Sequence, residues 1–142
     1  MAANRKSTLK KTVSQTDLGH GMVVPKEWME ELPRCEAGKR IEVEFEDGAE
    51  AGKRWEFSYS VRAYYTGRDQ AQIRGKFLKT ATLDEFFGDK RVVEGDRVVL
   101  EVLTDPNNNG NRYRIKAQRK SFLGWWVTLR SKERKNNQIN LE

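Results

Sequence analysis

The chain has 142 residues and a formal net charge of +6, because 27 lysines and arginines outnumber 21 aspartates and glutamates. That length fits one ordinary domain, and the excess of positive charge makes a polyanion the first partner to consider. A single cysteine and a single histidine, Cys35 and His20, exclude an intrachain disulfide, a structural Cys/His zinc site and a two-histidine metal site.

Both ends of the chain are polar and lack periodicity. Residues 1–6 contain no repeating apolar pattern, and residues 131–142, SKERKNNQINLE, are charged and rich in amides. Such segments bury too little apolar surface to order themselves. The sequence therefore predicts a flexible N-terminus at residues 1–6, one domain at residues 7–130, and a flexible tail or linker at residues 131–142.

Period-two alternation, which half-buried strands require, recurs throughout the predicted domain. The clearest examples are the segments IEVEF and RVVLEVL. Turn-forming segments such as EDGAEAGK, VEGD and DPNNNGN separate the strands. In chain order, the predicted strands are Leu9–Val13, Gly21–Val24, Ile41–Phe45, Trp55–Tyr59, Val61–Tyr65, Gln72–Leu78, Arg97–Leu103, Arg112–Gln118 and Trp125–Leu129.

Two short helices interrupt the predicted strands. The helix predicted in the segment PKEWMEELP begins with Pro25, which suits a first helical turn, and ends before Pro33. The segment TLDEFFGD has Thr82 as its predicted N-cap, Glu85 in the capping-box position and Gly88 as its stop. Many short strands with two small helices predict a mostly β fold, a closed or partly open barrel.

Catalytic constellations are missing from the sequence. His20 is the sole histidine, and the carboxylates fall in turns or on alternating strand faces, as in IEVEFED, which is typical of a solvated strand face. A magnesium nuclease of the PD-(D/E)xK type needs an E-x-K on a strand, but Glu133–Lys135 lies in the tail. We therefore expect a chain that is not an enzyme and that carries no metal and no cofactor.

Membrane and oligomer signals are also missing. The sequence contains no signal-peptide pattern, no apolar run of about eighteen residues and no heptad repeat. We expect a soluble monomer of the cytoplasm that contacts no membrane.

The segment Ser60–Gly75, SVRAYYTGRDQAQIRG, holds a high density of planar hydrogen-bonding groups. Arginine pairs with O6 and N7 of guanine, glutamine pairs with N6 and N7 of adenine, and a strand pair is narrow enough to enter a major groove. The segment thus fits duplex readout, and a solvated surface hairpin is the alternative. If residues 68–74 are extended, one face carries Arg68, Gln70, Gln72 and Arg74.

The order of several motifs along residues 9–103, about two thirds of the chain, resembles the plant B-three-type DNA-binding domain. The bacterial relatives of that fold are effector or specificity domains of restriction endonucleases, such as the N-terminal domain of EcoRII. The segment LKKTVSQTDLGHGMVVP is more similar to this bacterial branch. The segments that carry the resemblance are Ser14–Asp17, Met22–Lys26, Trp55–Tyr59, Phe86–Phe87 and Val93–Leu100 with its Gly95–Asp96 pair.

The resemblance implies a seven-stranded open β-barrel, a pseudobarrel, that binds double-stranded DNA at a short specific site. Two arms would enter the major groove from its two sides, an N-arm at Ser14–Met22 and a C-arm at Arg62–Arg74. It also implies the recognition domain of a bacterial restriction endonuclease, tethered to a nuclease domain and associated with the nucleoid. A plant-type transcription factor domain is the alternative.

The predicted DNA contacts divide by arm and by chemistry. Asp69 is expected to brace an arginine, while Ser14 and Thr16 suit turn capping equally well. Base and groove contacts are expected from Gln15, Thr16, Asp17, His20 and Met22 in the N-arm, and from Arg62, Tyr64, Arg68, Asp69, Gln70, Gln72 and Arg74 in the C-arm. Phosphate contacts are expected from Lys10, Lys11, Lys26, Lys76 and Lys79.

Two other functions compete with duplex binding. A single-stranded DNA or RNA binder of the OB or cold-shock type needs exposed aromatic rings on a strand face. The second competing function is a protein interaction module whose positive charge is incidental. Of Tyr64 and Tyr65, which alternate faces, one is expected in the core. The other aromatic residues expected in the core are Trp28, Trp55, Phe57, Phe77, Phe86, Phe87 and Trp126.

Overall fold

The computed structural model of the chain describes residues 4–65, 71–105, 110–120 and 126–130. The predicted tail at residues 131–142 lies outside them. Strand pairing already begins at Asn4, opposite Thr104, within the segment predicted to be flexible. In chain order the elements are β1 (Asn4–Thr12), α1 (Gln15–His20), β2 (Met22–Val24), α2 (Lys26–Glu31), β3 (Arg40–Asp47), β4 (Arg54–Tyr65), β5 (Ala71–Phe77), α3 (Ala81–Lys90), β6 (Arg97–Asp105), β7 (Gly110–Lys120) and β8 (Trp126–Leu129).

The described strands form one sheet in the order β1-β6-β7-β3-β4-β5-β2, and β8 pairs with β7 beside this path. Neighbours are antiparallel except β3 and β7, which pair in parallel where Asp47 meets Ile115. Further along the same edge of β7, Ala117 pairs with Leu129 of β8. The seven-stranded path curls into a half-barrel, which confirms the predicted mostly β pseudobarrel.

Alternating apolar residues fill the inside of the curl. β4 buries Trp55, Phe57 and Tyr59 on one face and leaves Arg54 and Glu56 exposed on the other. Phe57 belongs to an aromatic cluster, with ring centroids 5.1 Å from Phe45, 5.3 Å from Phe77 and 5.6 Å from Phe86. Such tilted and edge-on contacts add to the stabilisation that burial alone provides. The strands and α3 therefore share one core.

Three short helices lie among the described strands, one more than the sequence predicted. α2 begins after Pro25, as predicted, and buries Trp28. α3 begins earlier than predicted, because Thr80 rather than Thr82 is the N-cap. The Thr80 hydroxyl accepts a hydrogen bond from the amide of Leu83 at 3.3 Å, which satisfies one of the free amides of the first turn.

Two further predictions of local structure are wrong. The strands predicted at Trp55–Tyr59 and Val61–Tyr65 are one strand, because Ser60 continues the ladder opposite Lys76. Trp126 is half-buried rather than core, and the Arg97 guanidinium lies 3.8 Å from its ring centroid.

None of the helices in the described part of the chain combines the length and the apolar character needed to span a bilayer.

Candidate functional site

The distal ends of β4 and β5 form a two-stranded arm that extends beyond the core. Arg62 pairs with Arg74 across this ladder, and Tyr64 pairs with Gln72. Residues paired across an antiparallel ladder project from the same face, and all four side chains are exposed. We call this surface of four side chains the arm face. The other contacts predicted for the C-arm, Arg68, Asp69 and Gln70, lie outside the described residues.

Positive charge is concentrated on the arm face. Arg62 and Arg74 are directly opposite each other, and neither forms an ion pair with a carboxylate of the described residues. Like charges directly opposite in a ladder are destabilising. The opposition of Arg62 and Arg74 therefore lowers the stability of the arm. An anion bound at the arm face would relieve this repulsion.

A cleft of about 510 Å³ continues the arm face towards β2 and α2. Its walls include Arg62, Tyr64 and Arg74 from the arm, Lys76 from the paired part of β5, and Lys26 from the start of α2. The cleft thus brings two of the lysines predicted to contact phosphate next to the arm.

The N-arm contains the short helix α1, where the sequence predicted a turn that Ser14 or Thr16 could cap. Its N-cap is Ser14, whose hydroxyl accepts from the amide of Asp17 at 3.1 Å, while the Asp17 carboxylate accepts from the amide of Ser14 at 2.9 Å. This reciprocal arrangement is a capping box. The spacing of Ser14 and Asp17 in the sequence is the signal that could have predicted the helix.

Asp17 is buried beneath α1, with 1% of its surface exposed. Its carboxylate accepts from Lys11 Nζ at 2.8 Å and from the amide of Val23 at 3.0 Å, in addition to the capping box. Burial alone would raise the pKa of Asp17, but the Lys11 hydrogen bond and the amides of Ser14 and Val23 hold it below its ordinary value. The prediction that Asp17 reads a base does not fit this geometry, because its oxygens are already engaged internally.

The remaining N-arm residues divide by exposure. Met22 is 1% exposed and packs in the core opposite Phe77, so the predicted contact from its side chain is also at odds with the structure. Gln15, Thr16 and His20 are exposed and free to meet a ligand. The sequence could not separate these two groups, because α1 and the first residue of β2 lie within one polar segment.

Gly21 fixes the end of the N-arm against β5. Its φ is +96°, and a Cβ there would lie 2.7 Å from the carbonyl oxygen of Phe77 and 2.9 Å from Cε of Lys76. Only glycine fits that backbone conformation and that close approach without strain. The contact holds the C-terminal end of α1 next to Lys76, beside the cleft.

The lysines predicted to contact phosphate differ in their present partners. Lys11 is 14% exposed and engaged with Asp17 and the carbonyl of Val23, so it does not fit the predicted role. Lys79 pairs with Asp84 at 3.0 Å on the surface, where such pairs exchange readily. Within the described residues no ion pair involves the others, which are exposed or half-buried: Lys10, Lys26 and Lys76.

Tyr64 and Tyr65 are both exposed, by 44% and 76%, so the prediction that one of them lies in the core is wrong. β4 continues past the end of the core, and the opposite face of the arm also leaves Ile73 half exposed. Because successive strand residues alternate, the two tyrosine rings point to opposite faces and do not form one stacking surface.

Carboxylates border the other end of the same sheet surface. On β3 and β4, Glu44 is directly opposite Glu56, and Glu42 accepts from the Ser58 hydroxyl at 2.9 Å. Residue by residue, β4 therefore changes from an acidic surface at Glu56 to a basic one at Arg62. The carboxylates of β3 and β4 therefore mark one boundary of the basic surface that the arm forms.

Asp47, Glu50 and Asp89 form the acidic cluster that the described residues offer as a candidate metal site. Lysine ammonium groups already lie among these carboxylates: Lys90 Nζ is 2.7 Å from Asp47, and Lys53 Nζ is 3.0 Å from Asp89. A metal ion there would face two positive charges. The cluster is better described as a partly buried ion network that joins the β3–β4 turn to α3.

No protein-family model matches this chain, and no curated protein sequence does. Among solved structures, the chain is similar to the Arabidopsis FUS3–DNA complex, at a TM-score of 0.55 and 23% sequence identity. The match covers 80% of this chain and 97% of that one. The chain has a pseudobarrel fold of the B-three type.

That likeness concerns the pseudobarrel fold. The matched structure is that of a complex with DNA, which is a property of that protein. What this pseudobarrel binds depends on the local chemistry of the arm face, the cleft and the N-arm.

Proposed function

We propose that this chain binds double-stranded DNA at a short specific site, with the β4–β5 arm and the N-arm entering the major groove from two sides. The observation that carries the proposal is the arm face: two opposed arginines, a glutamine and a tyrosine on one exposed surface. The fold likeness to a protein that is bound to DNA supports it.

The shape and charge of the arm suit duplex DNA. A two-stranded ribbon is narrow enough for a major groove of about 12 Å. Guanidinium and amide groups match the acceptors and donors of base edges there, and the repulsion between Arg62 and Arg74 is relieved next to phosphates. Gln15, Thr16 and His20 are the N-arm side chains available for the second approach.

Phosphate contacts would come from the lysines that line or flank the cleft. Lys26 and Lys76 are on its walls and have no carboxylate partner among the described residues. Lys79 would exchange Asp84 for a phosphate, because an exposed ion pair contributes little. Lys11 and Asp17 instead support α1 from below.

Single-strand binding is the competing function, because Tyr64 and Tyr65 are exposed. Stacking of successive bases needs several rings on one surface. These two rings are on opposite faces of β4, and the large aromatic residues of β4, Trp55, Phe57 and Tyr59, are buried. The geometry therefore favours duplex DNA over a single strand.

The biological setting has two candidates. The N-arm segment favours the recognition domain of a bacterial restriction endonuclease, which would be tethered to a nuclease domain. A plant-type transcription factor domain fits the fold likeness equally well. Cleavage of site-bearing DNA by the native gene product in the presence of Mg²⁺ would support the first setting, and stable binding without cleavage would support the second.

Selection of bound duplexes from a random pool, followed by competition binding, tests the proposal. We expect enrichment of one short motif and weak binding to scrambled duplex and to single strands. Replacing Arg62 and Arg74 by alanine should weaken binding to the selected duplex by about 1–3 kcal/mol per residue.

The matched control for this loss of charge is the double substitution Arg40→Ala and Arg54→Ala. These arginines are exposed on β3 and β4, pair with Glu42 and Glu44, and do not line the cleft. The control should retain binding. No enriched motif, or equal loss of affinity in the two double variants, would contradict the proposal.

A further inference from the structure

We propose that Arg74 reads a guanine, and that Tyr64 and Gln72 act as positioning residues that hold its guanidinium for this contact. The inference rests on the proposed binding of duplex DNA. It assigns one base identity to the arm face and a role to three of its residues.

The geometry points to Arg74 because its guanidinium is held from two directions. Its Cζ lies 5.3 Å from the ring centroid of Tyr64, within the range of a cation–π contact. Its Nη2 donates to Oε1 of Gln72 at 3.2 Å. Tyr64 and Gln72 are themselves directly opposite each other in the ladder, so the three side chains form one contiguous group.

This support reduces the entropy that the long arginine side chain would lose on binding. A guanidinium has five N–H donors and no acceptor. After one donor is given to Gln72, the remaining N–H groups still include a pair that can make a bidentate contact. The side chain is therefore positioned in advance and keeps its capacity to bind two acceptors.

Guanine is the base that matches two donors in the major groove. Its O6 and N7 are adjacent acceptors, whereas adenine presents the N7 acceptor beside the N6 amino donor. A guanidinium facing adenine would oppose donor to donor. Arg74 should therefore discriminate in favour of guanine.

Gln72 has a different role from the adenine contact that its residue type suggests. Reading adenine requires the amide oxygen to accept from N6 while the amide nitrogen donates to N7. In this arrangement the oxygen already accepts from Arg74. An amide oxygen can accept a second hydrogen bond, but the bond from Arg74 turns this oxygen towards the guanidinium. We therefore assign Gln72 a role that acts through Arg74.

Arg62 provides an internal comparison. It is exposed and directly opposite Arg74, but no described hydrogen bond or ring contact holds its guanidinium. An arginine without such support acts chiefly as a mobile positive charge. We expect it to contribute affinity for phosphates without dependence on base identity.

The experiment uses the duplex that the intact chain selects from a random pool. Each guanine is replaced in turn by 7-deazaguanine, which lacks the N7 acceptor but keeps Watson–Crick pairing. We expect one position to reduce wild-type affinity by roughly 5- to 150-fold, the range for losing a good base contact. Arg74→Ala should bind the unmodified and the modified duplex equally, whereas Arg62→Ala should weaken both and retain the full ratio between them.

The positioning roles of Tyr64 and Gln72 are tested by the ratio of the affinities for the unmodified and the modified duplex at the same guanine. Tyr64→Leu and Gln72→Ala should reduce the ratio of affinities for the two duplexes, while Tyr64→Phe, which retains the ring, should preserve it. A residue with a merely structural role would lower affinity for both duplexes without changing that ratio. Far-ultraviolet circular dichroism of each variant checks that the fold is intact.

Failure of the proposed function and failure of the Arg74 assignment give different results. If the wild-type chain prefers no duplex over scrambled DNA, the proposed function fails. If it selects a duplex but every 7-deazaguanine penalty persists in Arg74→Ala, the assignment of Arg74 fails while duplex binding stands.

Discussion

The ammonium of Lys11 lies 2.8 Å from the buried carboxylate of Asp17, and the two side chains together bind the peptide groups of Val23. Lys11 belongs to β1 and Val23 to β2, the two ends of the seven-stranded path. Side chains therefore join the edges of the curled sheet at the position where a closed barrel would have a main-chain ladder. The same contacts fix α1, so the seam also supports the N-arm.

Removing one member of this seam should destabilise the fold. Asp17→Ala leaves the Lys11 ammonium and the amide of Val23 without their partner, so we expect a loss of about 3–5 kcal/mol in the free energy of unfolding. Urea unfolding followed by tryptophan fluorescence measures it. The control is Asp84→Ala, whose ion pair with Lys79 is exposed and should cost no more than about 1 kcal/mol. Equal losses in the two variants would contradict the seam.

Gly21→Ala should disturb the attachment of the N-arm to β5. The added methyl group would meet the carbonyl oxygen of Phe77 at 2.7 Å, and the positive φ is unfavourable for alanine. We expect a destabilisation of more than about 1 kcal/mol and weaker duplex binding. Gly19→Ala is the control, because no atom lies within 4 Å of its Cβ position and alanine favours helices by about 1 kcal/mol. A Gly19 variant less stable than the Gly21 variant would refute this account.

The mostly β class followed from the sequence because its signal is local, whereas the pseudobarrel was implied by the resemblance to the B-three-type domain. Alternation in IEVEF and RVVLEVL identifies an inward face from neighbours two residues apart, and the core contains those residues. Such patterns need no knowledge of the rest of the chain.

The roles of other residues depend on partners that are distant in the sequence. Asp17 looks like an ordinary turn former until Lys11 and Val23 close around it. Trp126 looks like a core residue, but in β8 it is half-buried and its ring contacts Arg97. In each case the tertiary arrangement decides between burial and exposure, and residue type alone is not sufficient.

Acid should destabilise the chain through Asp47. Burial alone would raise the pKa of this carboxyl, but the ion pair with Lys90 and hydrogen bonds from the indole of Trp55 and the amide of Ala49 hold it below its ordinary value of 3.8. A lowered folded-state pKa contributes stability above the unfolded value, and that stability is lost as the pH falls through the folded pKa. We expect the free energy of unfolding to decline below about pH 5.

The substitution Asp47→Asn separates the contribution of Asp47 to the loss of stability in acid from that of the other carboxyl groups. It removes the titrating group, so the variant should be less stable than the wild type near pH 7 and should lose less stability on acidification. Urea unfolding at a series of pH values between about 2 and 7 gives both slopes. Parallel curves for the two proteins would contradict a role for Asp47 in the acid response.

Lys26 and Lys76 should contribute to duplex affinity through phosphate contacts alone. Each lies on the wall of the cleft, so replacing either by alanine should weaken binding to selected and scrambled duplexes by the same factor. Each loss should also lower the slope of log K against log salt by about 1, because one fewer counterion is released. Lys120→Ala, at the exposed end of β7, removes the same charge away from the cleft and should leave the slope unchanged. If Lys120→Ala lowers the slope as much as the cleft variants do, binding depends on net charge rather than on this surface.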